Sequence, residues 1–235
     1  MSDRAIKRFY STAGAGEVEG GFAVLLDGRI ARTPAKRKLV APTRTLAEAI
    51  AAEWAAQGEI IEPLSMPLTR LADSALDGVA EALEATIAEI GSYAGSDLVC
   101  YRVPEPEALA ARQAAALDPL LAFAEQTLGA RFVLACGITH VAQPESSLQA
   151  VRAAIPREPF AVTALHALTS LSGSALLALA LARQAIAVEA AWAAAHVDED
   201  FQIERWGADE EAMCRREARG REFAAAARAL AALRS

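Results

Sequence analysis

Hydrophobic and polar positions change rhythm about forty residues into the chain. Phe22-Ala-Val-Leu-Leu26, the pair Asp27-Gly28, and Arg29-Ile-Ala-Arg-Thr33 form a β-hairpin pattern, because Asp-Gly supplies the positive φ that a type I′ turn requires. Short strand candidates flank it at Lys7–Tyr10, Val18–Gly21 and Lys38–Val40. After Pro42 the spacing becomes helical. Thr45 and Glu48 read as a capping box opening a helix that Gly58 closes. Leu46, Ile50 and Trp54 recur every four residues along it, which makes Trp54 a packing residue. Leu68, Leu71, Ala75 and Leu76 mark a second helix, and Leu83, Ile87 and Ile90 a third. Asp118-Pro119 reads as another helix start, with Asp118 as N-cap and Pro119 at the first helical position. Arg131–Val141 is a strand or an extended link, and everything from Glu145 onward is helical. The expected fold is α+β. A small mixed α/β N-terminal domain with antiparallel strands covers residues 1–90, and an all-α C-terminal domain covers 91–235.

One stretch, residues 160–182, carries no charge and is long enough to cross a bilayer. It also holds Thr163, His166, Thr169 and Ser170, is broken by Ser172-Gly173-Ser174, and has no flanking Lys or Arg cluster. It reads as a buried helical hairpin, without stable membrane insertion. Met1–Tyr10 has no apolar core of a secretory leader.

Composition narrows the function classes. Of 235 residues 54% are apolar, which excludes intrinsic disorder, although 58 are alanine, so core volume is smaller than the percentage suggests. The net charge of −7 argues against a general nucleic-acid binder. The charge is uneven: residues 1–44 hold nine basic and four acidic groups, a balance of +5, leaving −12 for the rest. Cys100, Cys136 and Cys214 are odd in number and widely spaced, as suits a reducing compartment and neither a disulfide framework nor a zinc site.

Catalytic signals are thin. His140, His166 and His196 are isolated, there is no HExxH, GxSxG or phosphate-loop motif, and Gly14-Ala15-Gly16 lacks the strand-glycine-helix setting of a dinucleotide site. No metal and no cofactor is expected. The unusual segment is Asp198–Glu211, in which seven of fourteen residues are acidic and one is basic. As helix, it puts Phe201 and Arg205 on one face and Gln202 and Trp206 on another. Gly207 then interrupts, and Asp209 caps a second helix whose first turn holds Glu210 and Glu211. An acidic surface with an aromatic anchor fits an Arg-bearing protein partner through Asp198, Glu199, Glu204, Trp206, Glu210 and Glu211. The rival is a small hydrolase using carboxylates such as Glu204 and Glu210.

Further pieces, in order along nearly the whole chain, resemble the ATP-twelve family, the assembly chaperones of the F-type ATP synthase. They are Lys7-Arg-Phe-Tyr10, Leu26-Asp-Gly-Arg29, Arg32-Thr-Pro34, Leu46-Ala-Glu-Ala-Ile50 with Glu53-Trp54, and Met66-Pro-Leu-Thr69. Ser96-Asp97, Cys100-Tyr-Arg102, Arg112-Gln113, Asp118-Pro119, Asp198-Glu199 and Phe201-Gln-Ile-Glu-Arg-Trp-Gly207 follow. The joint order carries the resemblance. It implies a non-enzymatic chaperone that binds the free alpha subunit of the catalytic head, acts without ATP hydrolysis and leaves when the beta subunit arrives. It also implies that Glu210, just beyond the Trp-Gly pair, is a contact residue, and that Glu53-Trp54 matches the family's Glu-Trp pair. The absence of a mitochondrial presequence points to a bacterial cytoplasm, the eukaryotic relatives working in the mitochondrial matrix. Glu211-Ala212 stands where relatives carry an aromatic residue and a His nearby.

Overall fold

Asp27 and Gly28 both adopt positive φ, 47° and 76°, and turn the chain sharply between two strands. The computed structural model describes residues 6–234. Residues 1–5, on which part of the leader reading rests, lie outside the described residues. The hairpin joins β3 (Gly21–Leu26) to β4 (Arg29–Ile30), and β3 also pairs antiparallel with β2 (Ala13–Val18) and β5 (Val40–Ala41). The Asp27 carboxylate accepts from the backbone N–H groups of Ser11 (3.0 Å) and Thr12 (2.8 Å), which holds it below the usual carboxylate range. A separate antiparallel pair joins β1 (Ile6–Lys7) to β6 (Ile60–Ile61).

Two sequence readings shift here. Val18–Gly21 is not a strand of its own, since Val18 ends β2, Gly21 begins β3 and the pair face each other across a two-residue turn. Ala13–Val18, Ala-Gly-Ala-Gly-Glu-Val, is a strand despite low β-propensity, because β3 supplies a full ladder of partners. The helix α1 (Arg44–Ala55) is capped by Thr43 and not by Thr45. Thr43 Oγ1 accepts from Leu46 N (3.3 Å) while donating to the Ala232 carbonyl (2.7 Å).

The described chain groups into two compact units. One contains residues up to Leu83, Glu158–Ala164 and the residues from Arg228. Its core joins Ala23, Val24 and Leu26 of β3 to Leu46, Ala47 and Ile50 of α1, with Leu68 and Ala72 of α2 (Pro67–Ser74). Glu53 on α1 fixes α2 in place. Its carboxylate accepts from the backbone N–H groups of Leu68 and Thr69 and from Thr69 Oγ1, each at 2.8 Å. These are donors that the first turn of a helix otherwise leaves orphaned. Burial nonetheless raises the Glu53 carboxyl above its usual range. Trp54 beside it is half-buried, meets Tyr10 edge-on (5.7 Å between ring centres), and offers its carbonyl to the Tyr10 hydroxyl at 2.7 Å.

The other unit holds Glu84–Arg157 and Leu165–Ala227 and is predominantly helical. Its elements begin with α3 (Leu83–Tyr93), α4 (Glu107–Phe123) and α5 (Glu145–Ala154). They continue through α6 (Pro159–Ser172), α7 (Ala175–Ala182), α8 (Val188–Ala195), α9 (Val197–Trp206) and α10 (Glu210–Ala232), with the ends of α3, α6 and α10 assigned to the first unit. The exception to the all-helical expectation is a two-residue parallel pairing of β7 (Tyr101–Arg102) with β8 (Ala135–Cys136). The uncharged stretch folds as two helices, α6 and α7, with a break at Gly173, where φ is 73°. Among the described residues no helix is long and apolar enough to cross a membrane.

Every residue from Ala175 to Leu181 is buried, so the N–H groups at the start of α7 are shielded from solvent. Asp97, with no exposed surface, supplies the missing acceptor. Its Oδ2 accepts from Leu176 N (3.1 Å) and its Oδ1 from Val99 N (3.1 Å), while Ser174 Oγ accepts from Leu177 N (3.0 Å). Burial outweighs these bonds and pushes the Asp97 carboxyl up to about 6. Cys100 is likewise buried, its thiol pushed up to about 12, which makes it inert.

Asp118-Pro119 does not start a helix. Pro119 lies inside α4, and Asp118 instead pairs with Arg102 (3.0 Å). An interior proline costs about 3 kcal/mol, but Leu117, Leu120 and Phe123 are buried around it at roughly 1.5–3 kcal/mol each. Asp118 and Pro119 face solvent, so water reaches the carbonyl that Pro119 leaves without a donor.

Two stability predictions follow from these carboxylates. Glu53→Ala strips three hydrogen bonds from the start of α2 and is expected to cost about 2–3 kcal/mol in urea unfolding, with Glu53→Gln intermediate. An Ala variant as stable as wild type would show that α2 is held by packing alone. Asp73, half-buried on α2, has its carboxyl pushed up to about 6, first by burial and then by Asp77. The folded chain thus keeps this proton up to about pH 6, whereas the unfolded chain releases it near pH 3.9. The contribution of Asp73 to stability therefore falls as pH rises through that window. Asp73→Asn is expected to unfold later than wild type at neutral pH by about 1–2 kcal/mol, after allowing for solvent screening. The gap should shrink below pH 6 and vanish near pH 4. A gap independent of pH would place the effect elsewhere.

Candidate partner-binding surface

The acidic segment folds as α9, a break at Gly207, and the start of α10. Gly207 has φ 88° and ψ 165°, a backbone that L side chains rarely adopt, so the helix axis turns here. Asp209 then caps α10, its Oδ1 accepting from Ala212 N at 2.7 Å.

The acidic side chains divide by what they touch. Glu204 meets Arg112 of α4 at 2.6 Å, which lowers its pKa, and the same guanidinium lies 5.2 Å over the Phe201 ring. Arg205 stacks on that ring as well, at 4.4 Å. Asp200 binds Arg216 of α10 at 2.5 Å. Asp198 accepts from Nε2 of the buried Gln113 at 2.7 Å, and Gln113 Oε1 accepts from Val103 N at 2.9 Å. Glu199 lies 4.0 Å from His196 Nε2, and burial lowers the pKa of that imidazole. The other ring nitrogen, Nδ1, donates to the Trp192 carbonyl at 2.8 Å. Glu211 pairs with Arg215 one turn along α10.

Three side chains at the corner have a different character. Trp206 is 77% exposed at the end of α9. Glu210 is exposed at the first position of α10 and has no hydrogen-bond or ion-pair partner among the described residues. Met213, one turn further along, is 39% exposed. The sequence reading did not single out Met213, whose signal is its i+3 spacing from Glu210 on the same helix face. Glu53, Trp54, Asp27 and Gly28 belong to the first unit, and Asp118 and Pro119 lie on α4. The arrangement offers an exposed aromatic, a flexible thioether and an uncompensated carboxylate on a solvated corner.

Comparison with known proteins identifies the lineage. The sequence profile described as ATP12 chaperone protein matches residues 7–125. Among solved structures, the Atu1473 protein of Agrobacterium tumefaciens, a putative chaperone by its description, is 47% identical, with 97% of this chain and 86% of that one covered and a TM-score of 0.93. Atp12 from Paracoccus denitrificans is 43% identical, covering 97% of this chain and 98% of that one with a TM-score of 0.91. A mutant of the same Paracoccus protein matches at 42% identity, the same coverage and a TM-score of 0.91. With the profile spanning half the chain and relatives above 40% identity over nearly its full length, the protein belongs to the ATP12 chaperone family.

Proposed function

We propose that this chain, a chaperone of F-type ATP synthase assembly, binds the free alpha subunit of the catalytic head and covers its beta-facing surface until the beta subunit replaces it. Family members are non-catalytic assembly factors, and among the described residues no group of His, Cys, Asp and Glu is arranged to hold a metal ion. The rival hydrolase reading is set aside on that family membership. The geometry adds that Glu204 is paired to Arg112, an internal brace of α9.

The observation that carries the proposal is the corner at Trp206, Glu210 and Met213. An unassembled subunit exposes a large apolar interface and aggregates through it. A reversible cover needs an aromatic anchor for affinity and a charge for register. Glu210 supplies the charge, and its partner is an Arg or Lys of the alpha subunit. The proposed site of this work is the bacterial cytoplasm.

The test compares Glu210→Gln with Glu211→Gln in suppression of alpha-subunit aggregation without beta, with melting temperature read in parallel. A carboxylate that only favours the helix dipole costs about 0.3–1 kcal/mol of stability when neutralised. Loss of a desolvated charge partner costs about 2–5 kcal/mol of binding. Glu210→Gln is expected to keep its fold and lose protection, whereas Glu211→Gln keeps both. Equal protection by all three proteins would remove Glu210 from the interface.

A further inference from the structure

The helical unit contains a cleft of about 540 Å³ that no step above uses. Its walls are largely apolar, with Leu98, Val103, Leu117 and Val197 among them. The volume falls within the roughly 300–1,000 Å³ over which proteins enclose compact ligands. Ile138, on the loop following β8, lines the cleft while remaining wholly exposed, so its side chain adds nothing to the core.

One wall is polar and carries the argument. Asp198 and Glu199, in the first turn of α9, both line the cleft. Arg102 also lines the cleft, but its guanidinium is engaged by Asp118 and by the carbonyls of Val99 and Tyr101 and makes no ion pair with either carboxylate. Arg216 is bound to Asp200 and reaches Glu199 only as a longer-range charge. The close partners of the two carboxylates are an amide, Gln113, and an imidazole, His196. Burial favours the neutral form of that imidazole. The positive end of α9 offsets only about half a charge. An apolar cleft with two undercompensated carboxylates on one wall is complementary to an alkyl stem that ends in a cation.

We infer that this cleft receives a segment of the partner subunit in which a large apolar side chain neighbours an Arg or Lys, the apolar group filling the cleft and the cation meeting Asp198 and Glu199. The inference rests on the alpha-subunit reading and adds a second contact to the corner at Trp206. It also gives Ile138 a role, as an apolar lip that closes over the inserted side chain.

The experiment uses full-length protein with photo-reactive benzoylphenylalanine in place of Ile138, or separately in place of Trp206, irradiated with free alpha subunit and mapped by mass spectrometry. Crosslinking from both positions, with the segment caught at 138 containing an apolar residue beside an Arg or Lys, is the expected result. Crosslinking from 206 alone overturns the cleft proposal and leaves the alpha-subunit reading standing. No crosslink from either position overturns both. A crosslink from 138 to a second copy of this chain, or to a segment without a basic residue, also overturns the proposal. Two variants read the same site by affinity. Val103→Trp, which fills the cleft, is expected to weaken capture of the alpha subunit by about tenfold or more, the scale of losing an anchored side chain. Glu199→Gln is expected to weaken it by about two- to fivefold, the scale of a partly exposed ion pair. Melting temperature checks that both variants fold, and folded variants that capture the subunit as wild type does would rule the cleft out.

Discussion

Glu53 and Asp97 each deliver a carboxylate to the start of a helix far along the chain, 15 residues downstream in one case and 79 in the other. The need arises from the helices themselves. The first turn of a helix leaves backbone N–H groups without internal partners, and in α7 those groups lie among buried alanines and leucines, shielded from solvent. An orphaned buried donor costs about 1–3 kcal/mol. With 58 alanines, the chain gains little apolar area per residue to offset several such losses. A remote carboxylate answers the problem and also fixes which helix lies beside which. Burial charges a cost for this, visible in the raised carboxyls of Glu53 and Asp97.

The same chemistry separates scaffold from surface in the acidic segment. Asp198 and Glu204 bond to Gln113 and Arg112 of α4 and Asp200 to Arg216 of α10, so three of the acidic groups tie α9 to its neighbours. On either side of Gly207 the character changes, and Trp206, Glu210 and Met213 face solvent. An acidic run that looks uniform in sequence is therefore two devices, a brace followed by an outward-facing corner.

Legibility in the sequence followed the range of the interaction. The turn at Asp27-Gly28, the break at Gly173 and the Asp209 cap depend on residues within a few positions, and pattern alone located them. The α1 cap was displaced by two residues because Thr43 and Thr45 are both plausible caps locally. Thr43 also bonds the Ala232 carbonyl, a contact 189 residues away. Pro119 misled for a related reason: Asp-Pro is a good local helix start, and it takes the buried side chains on both flanks to carry the helix on past it. Strand β2 was hidden because its Ala-Gly repeat carries no β signal until β3 pairs with it. At the candidate surface the acidic and aromatic composition was legible. The pairing of Arg112 with Glu204 across 92 residues, which removes Glu204 from the outward-facing set, was not.

Under the proposed reading, these features bear on how a chaperone without a fuel can let go. A cover that buried its partner as deeply as a subunit interface would compete with assembly itself. A solvated corner with one aromatic anchor and one carboxylate keeps the contact area small, and its charge raises the rate of encounter more than the final affinity. Every 1.4 kcal/mol by which the incoming subunit binds the same face more tightly shifts the exchange tenfold, so a modest chaperone affinity is enough for capture and also a condition for release. Strengthening the corner, for example by adding a second aromatic beside Trp206, would improve protection of the isolated subunit while slowing its transfer.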